Sequence, residues 1–300
     1  MMAPKAVLIF GGSGFLGSHL ALRLRDEFKV YLTYHSRPIL IPGVTAIPVE
    51  LKKEAWLKRV FYSTSPDVII YASGSNDPIW SEANPKDTER MHAVGPADVL
   101  NAADILNGAD IQQPKFIYLS NCYTFDGSRG NYHETDTLLP STVLGKAKVA
   151  GENFIRGKSL NYCLVRSSPL FGRGLASRPS FFDQLRMQLD AGQRIEVPHQ
   201  ELHSFAPVAG LCDMIVKIIH TNPKKGAFHY GGLTRVTLYE LARAFARRYK
   251  FDPELIIQKT SASTAKYGDS HLWDYSLNST LSVQTLKIQP LLLEESLDLI

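Results

Sequence analysis

The segment Ala6-Val7-Leu8-Ile9-Phe10-Gly11-Gly12-Ser13-Gly14-Phe15-Leu16-Gly17 constrains this chain more than any other. An apolar strand enters a turn whose glycines fall three residues apart, and a helix leaves it. The glycines have separate tasks. Gly11 permits the tight turn, Gly14 lets the backbone approach a pyrophosphate, and Gly17 lets the helix pack close to the sheet. Ser13, Phe15 and Leu16 complete the turn, where free N–H groups and the positive end of the helix dipole favour phosphate. Strand, glycine turn and helix in this order specify a dinucleotide site on a parallel α/β sheet.

The rest of the chain keeps that rhythm. Strands are expected at Lys5–Phe10, Val30–Tyr34, Thr45–Val49, Asp67–Tyr71, Lys115–Ser120 and Asn161–Arg166. Helices are expected at Phe15–Glu27, Glu54–Phe61, Lys86–Leu106 and Thr142–Ile155. Short apolar strands alternating with helices give a Rossmann-like, doubly wound parallel sheet covered on both faces. After Gly172 the pattern changes. Helices are expected at Phe181–Asp190, Val208–His220 and Leu238–Tyr249, with strands at Arg194–Val197 and Ala227–Tyr230. The expected division is a dinucleotide-binding domain over residues 1–170 and a smaller substrate lobe over 171–300, interleaving with the first or separate from it. The lobe should close over the carboxyl ends of the strands, where such sheets hold ligands.

Composition narrows the partners. Thirty-three Lys and Arg against 29 Asp and Glu leave a net charge of +4. That is too small for 300 residues to argue for nucleic acid or a membrane surface. Cys122, Cys163 and Cys212 are far apart and odd in number. They suggest neither a metal site nor a disulfide framework, and they fit a reducing cytoplasm. No apolar run approaches the roughly 20 residues that span a bilayer.

Five further stretches carry a resemblance. They are Phe116-Ile117-Tyr118-Leu119-Ser120-Asn121-Cys122-Tyr123-Thr124-Phe125-Asp126-Gly127, Leu144-Gly145-Lys146-Ala147-Lys148-Val149-Ala150-Gly151-Glu152, Leu164-Val165-Arg166-Ser167-Ser168-Pro169-Leu170-Phe171-Gly172, and the pair Gly226–Gly232 and Ser276–Ser279. With the glycine turn, their order resembles the extended short-chain dehydrogenase/reductase superfamily. Within it, the chain is most similar to dTDP-4-dehydrorhamnose reductase and to the regulatory β subunit of methionine adenosyltransferase. The resemblance implies a nicotinamide cofactor and a nucleotide-sugar or similar polar substrate. It also implies a homodimer built through the helices at Lys86–Leu106 and Thr142–Ile155.

Active members of that superfamily use a tyrosine as proton donor and a lysine four residues later. They add a Ser or Thr that bonds the carbonyl oxygen and an Asn that supports a water chain. Reduction of a ketone builds an alkoxide, which must be stabilised and protonated. Here Lys148 fits the lysine, but Leu144 stands where the tyrosine should be. Asn121 occupies the Ser/Thr position and His92 the Asn position. Asn121 can donate a hydrogen bond but cannot relay a proton. Two readings follow. Either the chain binds cofactor and has lost the reductase chemistry, serving a regulatory or scaffold role, or another group replaces the tyrosine. Tyr123, Tyr132 and His133 are the candidates for replacement.

The remaining site residues follow from position. The second strand runs into Tyr34-His35-Ser36-Arg37 without the carboxylate that would bind an NAD ribose. Arg37 suits a 2′-phosphate, which favours NADP(H) over NAD(H). The resemblance implies Glu50 at the adenine edge, Ala72-Ser73-Gly74 at the cofactor ribose, and Ser168 near the cofactor. His203 lies where the superfamily often has an arginine for substrate phosphates, and Arg173 and Arg178 flank the expected substrate cleft.

Overall fold

The computed structural model describes residues 5–106, 113–175, 179–259 and 272–300; Arg178 lies outside them. The first half alternates as the sequence requires. It runs β1 (Ala6–Phe10), α1 (Phe15–Leu24), β2 (Lys29–Tyr34), β3 (Val44–Pro48), α2 (Glu54–Thr64), β4 (Val68–Tyr71) and α3 (Pro78–Ala83). Then come α4 (Pro85–Glu89), a π-helical turn at Arg90–Val94, α5 (Gly95–Ala103), β5 (Lys115–Asn121), α6 (Val143–Lys158) and β6 (Tyr162–Ser167). The second half holds β7 (Leu170–Phe171), α7 (Phe181–Asp190), β8 (Ile195–Pro198), β9 (Glu201–His203), β10 (Ala206–Pro207), α8 (Val208–Thr221) and β11 (Lys225–Tyr230). It ends with β12 (Val236–Thr237), α9 (Leu238–Arg248), β13 (Ile256–Lys259), β14 (Trp273–Asp274), α10 (Thr280–Leu286) and α11 (Leu293–Leu297).

The main sheet has the order β11-β6-β5-β4-β1-β2-β3, with every neighbouring pair parallel. This is a Rossmann-like sheet whose strand order reverses between β1 and β4. All five residues of β1 are buried, as a strand covered on both faces demands. Leu20, Leu24, Leu211, Ile215 and Ile218 of α1 and α8 pack one face. Leu57, Phe61, Val99, Leu100 and Ile155 of α2, α5 and α6 pack the other. The strand expected at Ala227–Tyr230 and the helix at Val208–His220 therefore return to the sheet. The lobe proper is a separate core of Phe182, Leu185, Phe245 and Leu297, built from α7, α9 and α11.

The helix expected over Lys86–Leu106 is broken into α, π and α segments, ending in a 3₁₀ turn at Asp104–Leu106. Pro96 is the physical reason, because it has no N–H to give the carbonyl four residues back. The Gly95 N–H reaches instead to the Arg90 carbonyl, one residue beyond the α-helical partner. The freed carbonyls find hydroxyls from the sheet. Tyr71 donates to the Met91 oxygen at 2.7 Å and Tyr118 to the His92 oxygen at 2.7 Å. The short β7, β9, β10 and β12 to β14 escape sequence patterning, since strands of two to four residues carry no usable periodicity.

Candidate functional site

One cavity of about 1020 Å³ opens at the carboxyl ends of the strands and runs from the glycine turn to the lobe. The sequence places much of its wall. Gly14, Phe15, Leu16, Gly17, Ala72, Gly74, Asn121, Tyr123, Lys148, Ser168 and His203 all line it.

The turn is shaped for a ligand. Gly11 has φ +78°, and a side chain there would meet the Ala72 carbonyl at 2.7 Å. A Cβ on Gly17 would meet the Gly11 oxygen at 2.3 Å, so Gly17 packs against the turn itself. Gly14 differs: its φ is −77° and a Cβ there would meet only the Gly11 oxygen, at 3.2 Å. No side chain caps the N-terminus of α1. The first N–H groups of that helix therefore face the cavity without a side-chain acceptor, which is the environment a phosphate seeks. These residues fit a dinucleotide. Ser13 and Ser73 belong to the same turns without lining the cavity.

Lys148 lies behind this turn on α6. It is 2 % exposed, and its ammonium donates to the Leu119 carbonyl at 2.7 Å and sits 5.2 Å from the Tyr118 ring centre. Burial pulls its pKa down to about 7, against the opposing charge of Glu152. Glu152 is itself claimed by Arg166, which makes a two-pronged ion pair at 2.9 and 2.7 Å. His92 sits behind the cavity and does not line it. Its Nε2 meets the Ser75 carbonyl at 2.7 Å. Burial first, then the Lys148 charge, holds its imidazole well below the usual value, so it is neutral.

The expected proton donor is absent. Leu144 is fully buried beside Cys122, Tyr123, Phe125 and Tyr275. Tyr123 lines the cavity, but its hydroxyl donates to Glu201 Oε2 at 2.7 Å. Burial and the Glu201 charge push that phenol well above its ordinary value. This is opposite to the shift a proton donor needs. Burial would raise the Glu201 carboxyl, yet bonds from His203 and Tyr123 and the His203 charge bring it below its usual value. His203 holds Glu201 through Nε2 at 3.0 Å, and its Nδ1 lies 3.7 Å from Cys122 Sγ. Tyr132 does not enter the cavity, because its hydroxyl donates to Asp126 at 2.5 Å. His133 is exposed and outside it.

Asn121 is committed within the wall. Its Oδ1 accepts from the Tyr123 N–H at 3.1 Å and its Nδ2 donates to Asn76 Oδ1 at 3.2 Å. The Ser168 hydroxyl pairs with Ser204 at 2.8 Å. Glu50, Arg173 and Arg37, also expected at the site, do not line the cavity either. Glu50 is paired with Lys53 at 2.8 Å. Arg173 is exposed, and its carbonyl meets His19 Nε2 at 2.9 Å. Arg37 is exposed just past β2. Sequence reasoning missed Asn76, Gln200 and Glu201, all on the wall. The last two flank the start of β9, a strand too short to be read from sequence.

Sheet order, glycine turn and cavity together define a Rossmann-type nucleotide fold. The chain belongs to the RmlD substrate binding domain family, whose pattern matches residues 5–289. It is 25% identical to methionine adenosyltransferase 2 subunit beta of Bos taurus over 251 residues, which are 81% of this chain and 71% of that one. It is 23% identical to dTDP-4-dehydrorhamnose reductase of Mycobacterium tuberculosis over 264 residues, covering 86% and 80% of the two chains. A solved dTDP-4-dehydrorhamnose reductase from Bacillus anthracis, in complex with NADP, superposes with a TM-score of 0.80. That match has 20% identity and covers 99% of this chain and 97% of the other. Among the described residues no helix is long and apolar enough to cross a membrane.

Proposed function

We propose that this protein binds NADP(H) in the cavity at the carboxyl ends of the strands and has lost the ordinary ketoreductase chemistry of its family. The observation that carries the reading is Leu144, buried where the family's proton donor stands, with Tyr123 committed to Glu201. Bound nucleotide would supply hydride, but the chain offers no aligned hydroxyl acid to protonate an alkoxide. General acid catalysis is worth about 10²–10⁴-fold, so its loss slows turnover without touching binding. The Bos taurus relative, named as the beta subunit of a methionine adenosyltransferase and not as a reductase, supports a role for such a fold apart from ketone reduction. The preference for NADP(H) rests on Arg37, which makes no ion pair among the described residues and has no carboxylate beside it in the loop after β2.

A second reading, a ketoreductase with a substitute acid, draws on Lys148. An amine whose pKa is about 7 can exchange a proton at neutral pH. Incubation of the protein with NADPH and dTDP-4-dehydrorhamnose, followed by nucleotide absorbance, separates the two. Saturable NADPH binding without turnover supports the first. Turnover that Lys148→Met abolishes would establish the second.

A further inference from the structure

His92 lies in the middle of the π turn at Arg90–Val94 and is wholly buried. Its backbone is pinned from two sides. Tyr118 of β5 donates to its carbonyl, and a Cβ on Gly151 of α6 would meet that same oxygen at 2.2 Å. The side chain makes its hydrogen bond through Nε2, to the Ser75 carbonyl at 2.7 Å. A carbonyl only accepts, so Nε2 carries the ring proton. Nδ1 is buried without a partner, so holding Ser75 is the polar task this ring performs. The loop after β4 also rests on the ring itself. Gly74 passes so close, at φ +105°, that a Cβ there would lie 2.4 Å from His92 Cε1.

Strand order gives this support a place along the ligand. β4 and β2 flank β1 on opposite sides. A dinucleotide with its pyrophosphate at the turn after β1 and its adenosine toward Arg37 after β2 therefore lays its other half against the loop after β4. Gly74, Asn76 and Asp77 of that loop line the cavity, as do Pro78 and Ile79 at the start of α3. Asn121 ties the loop on the wall side, donating from Nδ2 to Asn76 Oδ1 at 3.2 Å. His92 ties it on the buried side.

We infer that His92 is a positioning residue for the nicotinamide half of the nucleotide, holding the loop over residues 74–77 from beneath through the Ser75 carbonyl without touching the ligand. The inference rests on the nucleotide reading. It gives His92 a task different from the water chain that the resemblance implies at that position.

Three variants of the full chain test it, each checked for fold by circular dichroism. His92→Leu keeps apolar bulk under Gly74 and removes the bond. His92→Asn keeps an amide but shortens its reach, and His92→Gln returns a donor at greater length. Wild type and variants are titrated calorimetrically with NADPH and with 2′,5′-ADP, which carries the adenosine and its 2′-phosphate but no nicotinamide. His92→Leu and His92→Asn should bind NADPH about tenfold more weakly, in the range of one lost hydrogen bond. Both should bind 2′,5′-ADP within about twofold of wild type. His92→Gln should recover most of the NADPH loss. Amide hydrogen exchange at Ser75, Asn76 and Asp77 should quicken about tenfold in the Leu and Asn variants and stay slow in the Gln variant. Should one of the first two fail to fold, the other carries the comparison. Equal loss of both ligands would show a merely structural role and overturn the inference. Unchanged NADPH affinity would overturn it as well. A wild type that binds neither ligand overturns the nucleotide reading, and the inference with it.

Discussion

The most quantitative consequence of the structure concerns Lys148→Met. The ammonium is almost wholly buried with no carboxylate partner, and its pKa falls from 10.5 to about 7. A lysine whose folded pKa lies below its unfolded value makes the unfolded chain bind more protons between the two values. Stability therefore rises with pH across that window. The full cost of keeping the charge buried is about 5 kcal/mol and is present below pH 7. At pH 9 the folded amine is already neutral, and about 2 kcal/mol remains. Lys148→Met removes this dependence while keeping an unbranched side chain of similar length. Urea unfolding of both proteins at pH 6 and pH 9 measures it. The stability gap, variant minus wild type, should shrink by about 3 kcal/mol from pH 6 to pH 9, because the other titrating groups cancel in the comparison. A gap that stays constant would show that Lys148 titrates at its ordinary value, and the description of a dry, unpaired ammonium would be wrong.

Other outcomes follow from single contacts. Gly14→Ala should leave the unfolding midpoint within about 1 kcal/mol of wild type, since its φ is ordinary and its Cβ would meet little protein. It should still weaken NADPH about tenfold or more in a fluorescence titration, because the methyl fills the phosphate approach. Gly17→Ala should damage both, as its Cβ lies 2.3 Å from the Gly11 oxygen, and equal behaviour of the two variants would refute this division of tasks. Glu152→Gln should cost about 3–5 kcal/mol in urea unfolding, because it strands the buried Arg166 guanidinium. A loss under 1 kcal/mol would show that the pair is not isolated from water.

Much of this molecule is legible in its residues because parallel sheets leave strong signals. Buried strands such as Ala6–Phe10 are unbroken apolar runs, and the glycine turn fixes where a ligand meets them. Lys148 and the leucine at 144 were legible through the resemblance, which sets a lysine four residues after a tyrosine. Three things were not. The π turn at Arg90–Val94 depends on hydroxyls of Tyr71 and Tyr118 arriving from distant strands. Gln200 and Glu201 sit at a three-residue strand whose pairing with β12 and β14 is set by tertiary contact. The positions of Arg173, Glu50 and Arg37 relative to the cavity depend on loop paths, which glycine and arginine spacing does not encode. Tyr123 shows a further limit. Its place beside the cavity was foreseeable, but the Glu201 bond that holds its proton comes from 78 residues away.

The central claim, that this cavity holds a pyridine dinucleotide through the glycine turn with Arg37 reading a 2′-phosphate, is tested most directly by titrating the wild-type protein and Arg37→Ala with NADPH and with NADH. The account predicts saturable binding, NADPH favoured in the wild type, and loss of that preference in the variant with NADH affinity kept. Absence of binding by either nucleotide would contradict it, leaving a Rossmann-type scaffold that has kept the turn without its ligand.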